Sequence, residues 1–105
     1  MADEKLVRDL IPAIAPGRDY RTADADEMPR LLNAKLLEEA QEVADARTAK
    51  EWAAELADVL EVVHALAARY GLTPEQLEGM RRDKAIARGG FALRVVLLEG
   101  EDSDG

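Results

Sequence analysis

Apolar positions in this chain fall into two long helical arcs flanked by shorter runs. Leu32, Leu36, Ala40 and Val43 recur at the three- and four-residue spacing of one helix face. Trp52, Leu56, Val59, Leu60 and Val63 repeat the pattern between Thr48 and Tyr70. The boundaries carry capping chemistry. Asp26 is placed to cap the first helix, Pro29 is tolerated in its first turn, and the helix is expected to run to about Ala46. Thr48 and Glu51 have the spacing of a capping box, and Gly71 stands where a helix closes in the left-handed region. Thr73, Pro74 and Gln76 open a third helix in the same way, ending at Gly89 and Gly90. Upstream, "KLVRDLIPAIAPG" alternates and then breaks at Pro12, Pro16 and Gly17 into a turn or short helix. Downstream, "FALRVVLL" has the β-branched middle of a strand. The expected fold is mainly α: an antiparallel αα-hairpin, a third helix, and short terminal β pieces, in which either "KLV" pairs with "FALRVVLL" or "RDYRT" joins them. Residues 1–98 are expected to form a single helical domain, and residues 99–105, "EGEDSDG", an acidic, disordered tail.

Two carboxylates intrude on these arcs. With Leu36 at zero and about 100° per residue, Glu39 lies at about −60° and Glu42 at about −120°, while Glu38 lies on the far side. With Leu56 at zero, Glu55 lies at about −100°, between Leu66 and Val62, and Asp58 at about −160°. A turn at Arg47–Thr48 sets Glu42 level with Glu55 and Glu39 level with Asp58. Four carboxylates therefore converge on one patch of the hairpin. Repulsion and desolvation make such a patch costly if it is bare. Protonation or pairing with Lys and Arg relieves it, and so does a divalent cation. An all-oxygen donor set suits Mg²⁺, Mn²⁺ or Ca²⁺. The competing explanation is a solvated acidic face, since the chain holds 22 acidic residues.

Composition narrows the choices. A net charge of −8 argues against nucleic-acid binding, which needs clustered Lys and Arg. The absence of cysteine excludes disulfides, thiolate zinc sites and cysteine nucleophiles, and one histidine excludes a multi-histidine metal site within one chain. No apolar run is long enough to span a membrane and no signal-peptide core opens the chain, so a cytoplasmic protein is expected. A chain of 105 residues builds a modest core. One hairpin leaves much of both arcs uncovered, so a homodimer or larger homo-oligomer is expected.

The spacing of "EEAQE" and "ELAD" resembles the E-x-x-E … E-x-x-D signature of the all-α nucleoside triphosphate pyrophosphohydrolases. Together with "KLVRDLIP", "KLLEEAQEV", "ELADVLEVVHAL" and "RRDKAIARGGF", it is similar to the MazG-like, phosphoribosyl-ATP-pyrophosphohydrolase-like branch, over Lys5 to about Phe91. The resemblance implies Glu39, Glu42, Glu55 and Asp58 as catalytic Mg²⁺ ligands, with Mn²⁺ as a possible substitute. It implies hydrolysis of a nucleoside triphosphate to the monophosphate and pyrophosphate. It also implies that Lys84 and Arg88, i,i+4 on the third helix, approach the phosphates. Lys35 lies on the face of Glu39 and Glu42, and Lys5 and Arg8, beside Asp9, are within possible reach of a nucleotide. Each of these cations has a salt bridge to the surplus acids as its plainer role. His64, Trp52 and Tyr70 are assigned to packing or an interface rather than chemistry. Two alternatives remain beside the triphosphate activity: hydrolysis of phosphoribosyl-ATP, and a catalytically silent module that binds nucleotide or a partner.

Overall fold

The computed structural model describes residues 4–98. It is mainly helical, as expected. A short helix α1 (Ile11–Ile14) precedes a 3₁₀ turn (Ala25–Glu27), and then come α2 (Met28–Asp45), α3 (Ala49–Arg69) and α4 (Pro74–Arg88). The described residues fall into two compact units, one ending at Pro74 and one beginning at Glu75. The acidic tail lies outside the described residues.

In the first unit, α2 and α3 pack side by side as the expected hairpin. Its start is capped two residues earlier than Asp26: the Asp24 N–H donates to the Glu27 carboxylate at 2.9 Å, closing the 3₁₀ turn that leads into α2. The turn into α3 is fixed by Thr48, whose Oγ1 accepts from the Glu51 N–H at 3.1 Å. The Glu51 carboxylate in turn accepts from the Arg47 N–H at 2.9 Å, one residue before the position a simple capping box uses. α3 closes on Gly71 at φ 79°, with Gly71 N–H bonded to the Ala68 carbonyl and Leu72 N–H to the Ala67 carbonyl. That paired closure needs the left-handed region, which glycine enters without strain.

The packed seam runs along a different line from the one the apolar spacing indicates. Leu31, Leu32, Val62 and Ala67 are the buried apolar residues, and Glu39 is buried among the polar ones. Leu36 and Val43 are only half-buried and Ala40 is exposed. Leu37, Trp52, Leu56 and Leu60 stay exposed. Each helix thus turns toward its partner the flank that carries its carboxylates and leaves much of its apolar arc uncovered. A single neighbouring helix covers only one side of a 100°-wide arc.

The expected β pieces are not found. Among the described residues there is no strand, and residues 91–98 carry no regular structure. Phe91, Leu93, Val95 and Leu98 are almost fully exposed. An isolated strand leaves its ladder groups unpaired and buries nothing, so β propensity alone does not form one.

In the second unit, α4 has no buried residue. Glu78 links it internally, accepting from Arg81 at 2.8 and 2.7 Å. Gly89, at φ 83°, ends the helix, its N–H donating to the Ala85 carbonyl at 2.7 Å.

Candidate functional site

Three of the four signature acids meet. Glu39 and Glu42 stand one turn apart on α2, and Glu55 faces them from α3. One carboxylate oxygen from each lies within 4.8 Å of the other two. The level pairing of Glu42 with Glu55 follows from the short turn at Arg47–Thr48. Glu39 is 6% exposed, Glu55 is half-buried and Glu42 is exposed.

Glu39 Oε2 and Glu55 Oε2 are buried without a hydrogen-bond partner. An unsatisfied buried oxygen costs about 1–3 kcal/mol, more when charged. Glu39 Oε1 is paired with Lys35 Nζ at 3.3 Å, and that ammonium also lies 3.4 Å from Glu38. Burial raises the Glu39 carboxyl above its ordinary range, and the adjacent Glu42 carboxyl adds to the rise, with Lys35 pulling the other way. The unpartnered oxygens and the all-oxygen donor set fit a hard divalent cation, which Glu39, Glu42 and Glu55 would hold.

Asp58 is not drawn into this group. Its Oδ1 accepts from Arg8 Nη2 at 2.6 Å, a contact spanning 50 residues of sequence. Lys5 reaches Glu38 at 3.3 Å. Glu38 is therefore not the plain solvent residue that its helical angle indicates. Burial pushes its carboxyl up, but Lys5 and Lys35 outweigh that and hold it below its ordinary range. Lys84 and Arg88 are exposed positions of α4, in the second unit.

The N-terminal segment is the component that helix periodicity does not locate. It is fastened by ion pairs: Lys5 to Glu38, Arg8 to Asp58, and Glu4 to Arg21 at 2.7 Å. Arg21 also holds Glu27 at 2.7 Å. That guanidinium, with the Asp24 N–H, lowers the Glu27 carboxyl to about 2. No spacing rule connects partners 17, 33 or 50 residues apart. Between this segment and the hairpin lies a groove of about 510 Å³ whose walls include Arg8, Lys35, Glu39, Asp58 and Val62. It is open on the Glu39 side of the carboxylate group and carries both signs of charge.

Residues 5–80 match the family model of phosphoribosyl-ATP pyrophosphohydrolase. The chain belongs to this family. Pyrophosphohydrolase chemistry is the activity the family implies, and the acidic trio is a set that can hold the divalent cation such chemistry uses. The matched span of the phosphoribosyl-ATP pyrophosphohydrolase family holds all four acids together with Lys5, Arg8 and Lys35, and it stops short of Lys84 and Arg88. No curated protein and no solved structure matches the chain.

Proposed function

We propose that this protein is a Mg²⁺-dependent nucleotide pyrophosphohydrolase, converting a nucleoside triphosphate to its monophosphate and pyrophosphate. The observation that carries the reading is the pair of unpartnered buried oxygens on Glu39 and Glu55, within a three-carboxylate group of a pyrophosphohydrolase-family chain. Glu39, Glu42 and Glu55 hold the cation, with Asp58 as a fourth carboxylate at hand. Mn²⁺ serves in place of Mg²⁺. The bound cation neutralises charge on the phosphates and lowers the pKa of water.

The remaining work falls to the chain itself. Lys35, 16% exposed, offsets the acidic charge and works against the rise that burial and Glu42 impose on the Glu39 carboxyl. Arg8 presents a planar fork to the groove and Lys5 lies on the same segment, so both serve the phosphates. For Lys84 and Arg88, in the second unit, a phosphate-binding role rests on the sequence resemblance alone. In the reaction a water oxygen bonds to phosphorus, the bridging P–O bond breaks, pyrophosphate leaves, and a carboxylate of the site takes the water's proton. A second copy of the chain covers the exposed face of Leu37, Trp52, Leu56 and Leu60. No helix among the described residues is long and apolar enough to cross a membrane, and the working location is the cytoplasm.

The family match supports phosphoribosyl-ATP as a second substrate reading. The matched span includes "KLVRDLIP" and supports the two substrate readings equally, so the substrate panel decides between them. The test is pyrophosphate release from canonical and damaged nucleoside triphosphates and phosphoribosyl-ATP, with Mg²⁺ or EDTA, beside Glu39→Gln. Release that needs Mg²⁺ and is lost in the variant supports the reading, and the responding substrate names the branch. Binding without turnover on the whole panel would make the protein a silent binding module.

A further inference from the structure

Asp58 belongs by register beside Glu39, yet its carboxylate is held by Arg8 at 2.6 Å. The two side chains are 56% and 39% exposed. An ion pair at that exposure contributes little and exchanges readily. Arg8 sits on an extended segment fastened by other ion pairs, and Leu6 and Val7 are only half-buried. Its guanidinium fits a phosphate as well as it fits a carboxylate. Arg8 and Asp58 line the same groove as Glu39 and Lys35. Asp9, Asp58 and Glu61 are the groove's carboxylates outside the glutamate trio. Of these only Asp58 is a signature acid, and the cation that pairs with it is of the kind a phosphate draws away.

We infer that Arg8 is a positioning residue that withholds Asp58 from the metal site and releases it when a phosphate takes the guanidinium. This rests on the metal-site reading of Glu39, Glu42 and Glu55. Without phosphate the cation meets three carboxylates. With Arg8 engaged by phosphate it meets four, and affinity rises with the number of charged ligands. Metal and phosphate then bind cooperatively, because each is favoured by the same state of the Arg8–Asp58 pair. The order is useful for hydrolysis, since the site tightens on the cation only when the group to be cleaved has arrived.

The test reads Mn²⁺ binding by the loss of its free-ion electron paramagnetic resonance signal, on the full chain, with no turnover involved. Native protein, Arg8→Gln, Asp58→Asn and the double variant form a cycle, with Glu39→Gln alongside and circular dichroism checking the fold of each. Arg8→Gln is expected to bind Mn²⁺ about tenfold more tightly than native protein. Removing a positive charge alone also tightens binding, so the cycle carries the decision. Exchange predicts that Asp58→Asn costs about tenfold more affinity in the Arg8→Gln background than in the native one. Equal cost in both backgrounds would overturn the inference. Inorganic phosphate, with its own Mn²⁺ complexation subtracted, should tighten native binding and leave Arg8→Gln unchanged; no effect on native protein would also overturn it. If Glu39→Gln binds Mn²⁺ as native protein does, the metal-site reading fails and takes this inference with it. Loss of binding in Glu39→Gln together with an additive cycle leaves that reading standing and removes only the role of Arg8.

Discussion

Replacing Glu39 with Gln is expected to stabilise the metal-free protein, although it breaks an ion pair. The carboxylates of Glu42 and Glu55 lie within 4.8 Å of that of Glu39. At an effective dielectric of about 20, each full repulsion at that distance is about 3.5 kcal/mol. Solvent at the exposed Glu42 reduces its share by roughly half. The attraction of Lys35 at 3.3 Å is about 5 kcal/mol on the same scale, so attraction and repulsion nearly cancel. What remains is the desolvation of a charged group that is 6% exposed with one oxygen unpartnered. A neutral amide of the same shape escapes most of that cost and donates to a neighbouring carboxylate. A gain of about 1–2 kcal/mol follows, which is a rise in Tm of about 4–16 °C for a domain of this size. The assay is thermal unfolding followed by circular dichroism in EDTA at pH 8, repeated in excess Mn²⁺. In excess metal the order should reverse. Native protein at about 100 times the dissociation constant gains about 2.7 kcal/mol, and the variant, short of a ligand, gains far less. A Glu39→Gln protein less stable than native in EDTA would refute the electrostatic reasoning about this site.

Three further outcomes are expected. The raised Glu39 carboxyl makes the fold hold that proton more tightly than the unfolded chain does, so its contribution is fully present below the ordinary value of 4.5 and is lost as pH rises through the raised value; the metal-free Tm should fall across that window, and the fall should be smaller in Glu39→Gln. Thr48→Ala removes the acceptor of the Glu51 N–H and should cost about 1 kcal/mol, read as a lower denaturation midpoint with unchanged slope. Gly71→Ala has open space around the added methyl but sits at φ 79°, so a loss of about 1 kcal/mol from backbone strain alone is expected in the same assay.

The chain's local chemistry shows plainly in its letters. Thr48, Gly71 and Gly89 mark helix ends because capping and left-handed closure depend on residues within one turn. The carboxylates of Glu39, Glu42 and Glu55 are legible for a related reason: helical period and a short turn fix which residues stand level in a hairpin. Other features are not local. The strand expected in "FALRVVLL" rested on propensity, and propensity cannot supply the partner that a strand requires.

By itself the sequence determined the approximate span of the long helices, that two of them form a hairpin, and that acids converge across it, with Asp58 expected among them and Asp26 expected as the first cap. Each of these depends on neighbours within a few residues or on a fixed helical repeat. Tertiary structure alone decided which flank of each helix turns inward, placing Glu39 on the seam and leaving Leu37, Leu56 and Leu60 outside. It alone decided that Arg8 takes Asp58 and that Lys5 takes Glu38. An acid or a base in a chain with 22 of one and 14 of the other has many candidate partners. Only the path of the folded backbone brings one of them within hydrogen-bond reach.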